Sequence, residues 1–278
     1  MSKLEGPVVS INKAPDMWTG MAAFYEKYFE PLSCQFLEAT LSLAGNVRTG
    51  EDVLDVAAGP GALTLAAARL GACVLGIDSS PAMVAHLSKR LEKENCGNCE
   101  ARVMDGEALE LPDASFDAAF SMFGIVTFAD WRRGLFELAR VVRPGGRGCI
   151  TGWTRAEGAG AARLLVEAYP LAFPEAGPLP TPPGFRALMT ADALQVAMGD
   201  AGFKDVVVHT ADGVYELESA DLLMNTMEPF FGQIPFYGAL DEDGRERIRD
   251  AMRSVARHYQ TPDGFTVPTA AHIAVGRR

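Results

Sequence analysis

Apolar residues recur at helical spacing from Trp18 to about Ala44, through Met21, Phe24, Tyr25, Phe29, Phe36 and Leu37, and predict a helical N-terminal segment. The pattern then shortens. Val53-Leu54-Asp55-Val56 is a brief apolar run with one acid inside it, which predicts a buried strand over 52–56. An Ala- and Leu-rich helix follows from Gly61, then a strand over 73–78. Ser79-Ser80-Pro81 has the form of a helix cap with proline in the first turn, and the helix it opens runs to about Glu94. Strands are predicted over 100–104 and 116–122. A helix from about Asp130 to Val142 is stopped by Arg143-Pro144-Gly145-Gly146, and a strand covers 148–153. Strands alternating with helices in this way build a mainly parallel α/β sheet covered on both faces.

After Trp153 the texture changes. Prolines crowd positions 170, 174, 178, 180, 182 and 183, which predicts a long loop of the kind used as a lid or binding loop. Regular structure resumes with a helix over 190–201 and a strand over 204–210. An interrupted helical stretch follows over 220–259, and a last strand over 270–277. The expected organisation is an N-terminal helical cap (1–45), a core of alternating strands and helices (46–153) and a proline-rich lid insertion (154–189). The rest of the sheet, with a helical insertion for a second substrate, fills 190–278. The N-terminal helices and the proline-rich segment are expected to close over the open strand ends.

The stretch between the first strand and its helix, Ala57-Ala58-Gly59-Pro60-Gly61, carries the first chemical signal. Glycine has no Cβ, so it permits a tight turn and close approach of a ligand. The helix that follows presents unpaired N–H groups and the positive end of its dipole. Strand, glycine turn and helix together make a nucleotide site of doubly wound sheets. A dinucleotide fingerprint would place a third glycine where Thr64 stands, and it has no use for the acid at Asp55. Asp78, closing the second strand about twenty residues on, suits the ribose hydroxyls of either kind of nucleoside.

Charge and composition narrow the class. A net charge of −11 argues against a nucleic-acid partner and an anionic membrane surface. No run of about 18 apolar residues is present, and the first residues lack the apolar core of a signal peptide. The chain reads as cytoplasmic, with its five cysteines reduced. Cys96-Gly97-Asn98-Cys99 has no second pair and no histidine pair to complete a zinc site, so it reads as a loop with two free thiols, and no metal is expected. Cys34, Cys73 and Cys149 give only a weak hint of the thiol set an arsenic-methylating enzyme would use.

Further motifs separate the ligands. The segments Asp55-x-x-x-Gly59-x-Gly61, Asp78, Asp105-Gly106-Glu107 followed by Leu111-Pro112 and Phe116-Asp117, and Leu138 to Gly146 together resemble the class I S-adenosylmethionine (SAM)-dependent methyltransferases. Small-molecule enzymes of the ubiquinone and menaquinone methyltransferase group are the nearest in kind. The usual motif has glycine where Ala57 stands. The resemblance covers roughly 18–153 well and the last seventy or so residues loosely. It implies a seven-stranded, mainly parallel doubly wound sheet whose last strand is antiparallel and inserted beside the fifth. SAM would lie across the ends of the first four strands. Asp55 would orient the glycine loop or meet the amino end of SAM, and Gly59 and Gly61 would let the methionine portion lie against the backbone. Asp78 would hold the ribose, Ala57 and Ser79 would belong to the same cofactor site, and Met83 would touch the adenine or pack its helix against the sheet. Asp105 would accept from the adenine amino group, Gly106 and Glu107 would offer backbone groups to the adenine edge, and Ser121 and Met122 would lie beside the sulfonium. S-adenosylhomocysteine would be the product.

Methyl transfer from a sulfonium is an in-line displacement that asks for alignment and dryness more than for catalytic side chains. The four histidines, His86, His209, His258 and His272, fall on elements where structural or surface roles fit better than that of a base. No Asn-Pro-Pro-Tyr-type motif follows the fourth strand, where Ser121-Met122-Phe123-Gly124 stands, which favours a small acceptor with an O, N or C nucleophile. Trp18, Tyr25, Phe123, Phe128, Trp153, Phe230, Phe231, Phe236 and Tyr237 are candidates to line its pocket, or to fill a core. Two other readings stay open: a SAM-binding protein without transfer activity, and an NAD-type oxidoreductase, against which Thr64 and Asp105 speak.

Overall fold

The structure is a computed structural model that describes residues 18–179 and 181–278. The part of the expected N-terminal cap before Trp18, and Pro180 of the expected lid, lie outside the described residues. Among the described residues the strands are β1 (Asp52–Val56), β2 (Cys73–Asp78), β3 (Cys99–Val103), β4 (Phe116–Met122), β5 (Val142–Trp153), β6 (Lys204–Leu217), β7 (Gln260–Thr261) and β8 (Gly264–Arg277). The helices are α1 (Ala22–Tyr28), α2 (Glu30–Cys34), α3 (Leu37–Leu43), α4 (Ala62–Arg69), α5 (Pro81–Lys93) and α6 (Trp131–Val141). They continue with α7 (Gly160–Ala172), α8 (Pro183–Ala187), α9 (Ala191–Asp200), α10 (Ala220–Phe231), α11 (Pro235–Gly238) and α12 (Glu242–Ala256).

The strand order is β3-β2-β1-β4-β5-β8-β6. β1 to β5 run parallel, and β8 inserts antiparallel between β5 and β6. The expected mainly parallel, doubly wound sheet with its last strand antiparallel beside the fifth is the fold found, with the short β7 added on β8 as an eighth strand. Leu41, Val47, Leu63 and Ala67, from α3 and α4 and their flanks, bury one face of the sheet against Val53, Val74 and Phe120. Trp131, Leu135 and Leu138 of α6 and Leu194 and Met198 of α9 cover the other face against Leu54, Val56 and Ile150.

β6 and β8 exceed their predicted lengths, and this decides the shape of the second half. β8 pairs with β5 only from Ala271 to Arg277, yet its ladder with β6 continues back to Phe265 opposite Leu217. The overhanging ribbon, with Tyr215, Leu217, Phe265 and Val267, carries a separate apolar layer built from α1, α7, α10 and α12. In α12, Ile248, Ala251, Met252, Val255 and Ala256 form the buried stripe. Asp241 caps its first turn by accepting from the Gly244 N–H at 2.9 Å.

The expected loop after Trp153 is corrected over 160–172. That stretch is α7, whose stripe of Ala161, Leu164, Leu165, Ala168 and Ala172 packs in the same layer, and Pro170 is accommodated inside the helix at an exposed position. Burial of an amphipathic stripe outweighs the proline signal here. Pro174–Ala176 and α8 are short helical turns, and the described residues between them remain loop. β5 also starts earlier than predicted. Arg143-Pro144-Gly145-Gly146 ends α6 but continues as extended chain along β4, with a register shift between Phe116 and Ala118. No helix among the described residues is long and apolar enough to cross a membrane.

Candidate functional site

The glycine turn is held in a shape that suits its sequence. Ala57, Gly59 and Gly61 have left-handed φ of 58°, 55° and 97°. A Cβ on Gly61 would lie 2.1 Å from Leu87 Cδ1, so glycine is needed there on two counts. A Cβ on Gly59 would meet nothing within 4 Å, so the turn presents bare backbone to open space at that point.

Asp78 organises this turn. One carboxylate oxygen accepts the Gly59 N–H at 2.9 Å, and the other accepts the Ser80 N–H at 2.9 Å. An ionised carboxylate accepts about four hydrogen bonds, so Asp78 keeps acceptor capacity for a diol. Burial pushes its pKa above the usual carboxylate range, and the two N–H donors work against that rise. Ser80 caps α5 through the Met83 N–H, while Ser79 is exposed at the turn. Met83 is buried at 3% exposure, so it is a packing residue of α5 in this structure.

Asp55 is 2% exposed and accepts the Thr64 hydroxyl at 2.7 Å. Burial pushes its pKa up to about 6, with Asp78 adding to the rise and the Thr64 bonds opposing it. Thr64 occupies the place of the third glycine in a dinucleotide fingerprint. The room its side chain needs comes from the adjacent strand, where a Cβ on Gly76 would lie 2.8 Å from the Thr64 hydroxyl. The departure at Thr64 and the acid at Asp55 are thus one device: the threonine holds the acid, and Gly76 makes space for the threonine.

Beyond β3, Asp105 is exposed and accepts the Glu107 N–H at 2.8 Å. The Glu107 carboxylate accepts the Asp130 N–H at 3.1 Å, and its carbonyl accepts from Arg133 at 3.2 Å. Both backbone groups of Glu107 are therefore engaged within the protein, against the expectation that they face a ligand. Gly106 is buried against Phe128, whose Cζ would lie 2.6 Å from an added Cβ. Ser121 is fully committed to the fold: it donates to the Val56 carbonyl at 2.9 Å and accepts the Ile125 N–H at 3.0 Å.

A narrow cavity of about 30 Å³ lies between the N-terminal helices and the glycine turn, lined by Tyr25, Glu30, Asp55, Gly59, Leu63 and Met122. It brings Asp55, Gly59 and Met122 together. Tyr25, expected in the acceptor pocket, packs here instead. Burial, with Asp78 and Glu30 nearby, pushes its hydroxyl well above the usual range. Sequence reasoning missed the clasp that holds this helix pair down. Arg90 of α5 donates to both carboxylate oxygens of Glu30 at 2.7 and 2.9 Å and to the Pro60 carbonyl at 2.9 Å, and His86 meets Glu26 at 2.6 Å. His86 is therefore not on a solvated face. An arginine and a histidine one turn apart on α5, facing two acids one turn apart on α1–α2, is the signal that the sequence did contain.

The aromatic candidates divide into three groups. Phe123 and Trp153 stack at 3.9 Å at the ends of β4 and β5, with Phe36 edge-on to both at 5.7 Å. Trp18 packs edge-on to Tyr25 at 5.5 Å and over Phe230 at 6.4 Å, which links the cavity to the helical layer. Phe128 sits in the core beneath the sheet, and Phe231 and Tyr237 are buried in the helical layer at 0% and 1% exposure. Phe231, expected at the acceptor, is a core residue in this structure. Phe236 is half-buried in the same layer against Tyr169, at 5.0 Å. His272 bonds Thr210 at 3.0 Å and His258 meets the Val255 carbonyl at 3.1 Å, both within the fold. Among the described residues no cluster of three or more metal-ligating side chains is found.

Residues 53–146, which contain the glycine turn, Asp78 and Asp105, match a family model described as a methyltransferase domain. Demethylmenaquinone methyltransferase of Tropheryma whipplei is 43% identical over 101 residues, covering 36% of this chain and 41% of that protein. The chain spans about two fifths of the length of the curated relatives it matches. The YcgJ protein of Bacillus subtilis superposes with a TM-score of 0.58 at 18% identity, over 88% of this chain and 98% of that one. Haemonchus contortus phosphoethanolamine N-methyltransferase 2, in complex with phosphomonomethylethanolamine and S-adenosylhomocysteine, gives a TM-score of 0.54 at 19% identity over 88% of this chain and 52% of that one. Residues 53–146 thus match a methyltransferase domain, in a stretch similar to part of the demethylmenaquinone methyltransferases.

Proposed function

We propose that the protein transfers the methyl group of SAM to a small apolar or aromatic acceptor, in the cytoplasm. The observation that carries this reading is Asp78, which fixes the Gly59 N–H beside open space and keeps acceptor capacity, with Asp55 and its threonine strut behind the turn. These groups fit the cofactor. Asp78 would take the ribose hydroxyls, bare Gly59 would admit the methionine chain, and the acids Asp55 and Asp78 favour a ligand whose methionine end carries positive charge. Bound there, SAM would supply a methyl group on a sulfonium with its leaving group already built in. The chain's own part is to orient and to exclude water. Tyr25, held down by the Glu30–Arg90 clasp, covers the methionine side. With room for about one water, the cavity requires α1 and α2 to withdraw before the cofactor enters. The stacked Phe123 and Trp153 offer a flat apolar wall for the acceptor at the ends of β4 and β5. A planar acceptor ring is also what the name of the Tropheryma relative suggests.

Calorimetry with SAM, S-adenosylhomocysteine and NAD tests this directly, followed by methyl transfer to a panel of quinols, phenols and amines. The expected result is binding of the first two and not of NAD. The Asp78→Ala variant is expected to lose tenfold or more in SAM affinity, because charge-assisted hydrogen bonds contribute about 1.5–3 kcal/mol. NAD binding without SAM binding would overturn the reading. SAM binding without transfer to any acceptor class would leave a SAM-binding protein of another activity.

A further inference from the structure

Cys73, Cys96 and Cys99 lie at the end of the sheet where β2 and β3 begin, away from the glycine turn, and all are free thiols. Cys96 and Cys99 flank a tight turn. The Cys99 N–H donates to the Cys96 carbonyl at 3.2 Å, and neither Gly97 nor Asn98 between them has a left-handed φ. A turn of this kind holds its end Cα atoms within about 7 Å, and a disulfide needs about 4.4–6.8 Å.

Both ends of the turn are anchored. The Cys96 N–H donates to the Leu91 carbonyl at the end of α5 at 3.0 Å. The Asn98 carbonyl accepts the Val74 N–H at 3.2 Å, and the Asn98 side-chain amide donates to the Ala72 carbonyl. Both cysteines are half-buried and pack against the same small cluster of Leu65, Leu87 and Leu91. The other cysteines are not placed to compete. Cys99 is in register with Val74, so the neighbouring Cys73 points to the opposite face of the sheet. Burial pushes the Cys34 thiol up to about 11 and the Cys149 thiol up to about 12, so both stay protonated.

We propose that Cys96 and Cys99 are a dithiol site that exchanges with low-molecular-weight disulfides. Burial raises the Cys99 thiol above its ordinary range, which makes Cys99 the resolving partner. The Cys96 thiolate attacks one sulfur of a disulfide such as oxidised glutathione, and one glutathione leaves as thiol. Cys99 then attacks the Cys96 sulfur of the mixed disulfide, and the second glutathione leaves. The protein dithiol loses two electrons and two protons, and the glutathione disulfide becomes two thiols. The bridge ties the end of α5, the helix that bears Arg90 and His86, to the start of β3, the strand that leads to Asp105.

The test uses the full chain equilibrated with mixtures of reduced and oxidised glutathione, alkylation of free thiols, and mass spectrometry of the tryptic peptide from Glu94 to Arg102, which contains both cysteines. The expected result is a peptide that loses two hydrogens in one two-electron step and retains no glutathione. Cys73→Ser should behave as the native chain. Cys99→Ser should instead trap one glutathione on Cys96. Alkylation of Cys96 and Cys99 at every ratio, or glutathione retained on Cys96 of the native chain, would overturn the proposal.

Discussion

At the glycine turn the backbone itself is unusual. Three residues within five, Ala57, Gly59 and Gly61, are left-handed, and the contacts that matter are hydrogen bonds from N–H groups to Asp78 and from Thr64 to Asp55. In the helical layer over the β6–β8 overhang, no residue of α7 after its first glycine, nor any of α10 to α12, has a left-handed φ. Order there comes from apolar stripes meeting across helices, with Phe231, Tyr237 and Ile248 fully buried. The two regions meet through a few aromatic side chains: Tyr25 packs on Trp18 and Phe29, and both of those pack on Phe230. The first region is specified locally, by residues that permit one backbone shape. The second is specified collectively, and single residues in it are replaceable as long as volume and pattern persist.

The largest effect expected is on the helical layer. Phe231→Ala removes a fully buried ring and should lower unfolding free energy by about 3–5 kcal/mol. Urea denaturation followed by calorimetry with S-adenosylhomocysteine checks whether the regions are separable. Stability should fall while affinity moves less than tenfold. An equal collapse of both would mean that the layer and the turn act as one unit.

Next in size is the ionisation of Asp55, which belongs to the turn. Its folded-state pKa of about 6 is above the ordinary carboxylate value, so the fold favours the protonated form. The stability this contributes is fully present below about pH 4 and is lost as pH rises through about 6, a total of about 3 kcal/mol. Measured against Asp55→Asn, which has no such titration, the native protein should lose that amount between acid and neutral pH. A pH-independent difference would show that Asp55 is not held in an apolar setting.

The smallest effect is at Ala57. A left-handed φ in a non-glycine residue costs about 1–2 kcal/mol, and glycine costs about 0.4–1 kcal/mol through the freedom it gives the unfolded chain. Ala57→Gly should therefore raise stability by about 0.5–1 kcal/mol, read as an upward shift in Tm, with cofactor affinity retained. A loss of stability would mean that the Ala57 methyl, close to Gly124, contributes packing that outweighs its strain.

Much of the core is legible in the sequence, because its signals are local. The ranges of β1, β2 and β4 follow directly from short apolar runs bounded by turns, and Gly59, Gly61 and Asp78 fall where a strand–turn–helix unit must put them. Thr64 is readable as a departure but not as a partner of Asp55, because the space it needs is granted by Gly76 on another strand.

What the sequence determined by itself was the alternation of elements, the glycine turn and the acids around it, since each depends on neighbours within a few residues. Only the tertiary structure decided that α7 would continue through Pro170, that β6 and β8 would outrun the sheet, and that Tyr25 would cover the glycine turn while Phe231 went into a core. Those outcomes depend on which apolar surfaces meet across long stretches of chain. Burial there contributes more free energy than the local propensities that a sequence displays.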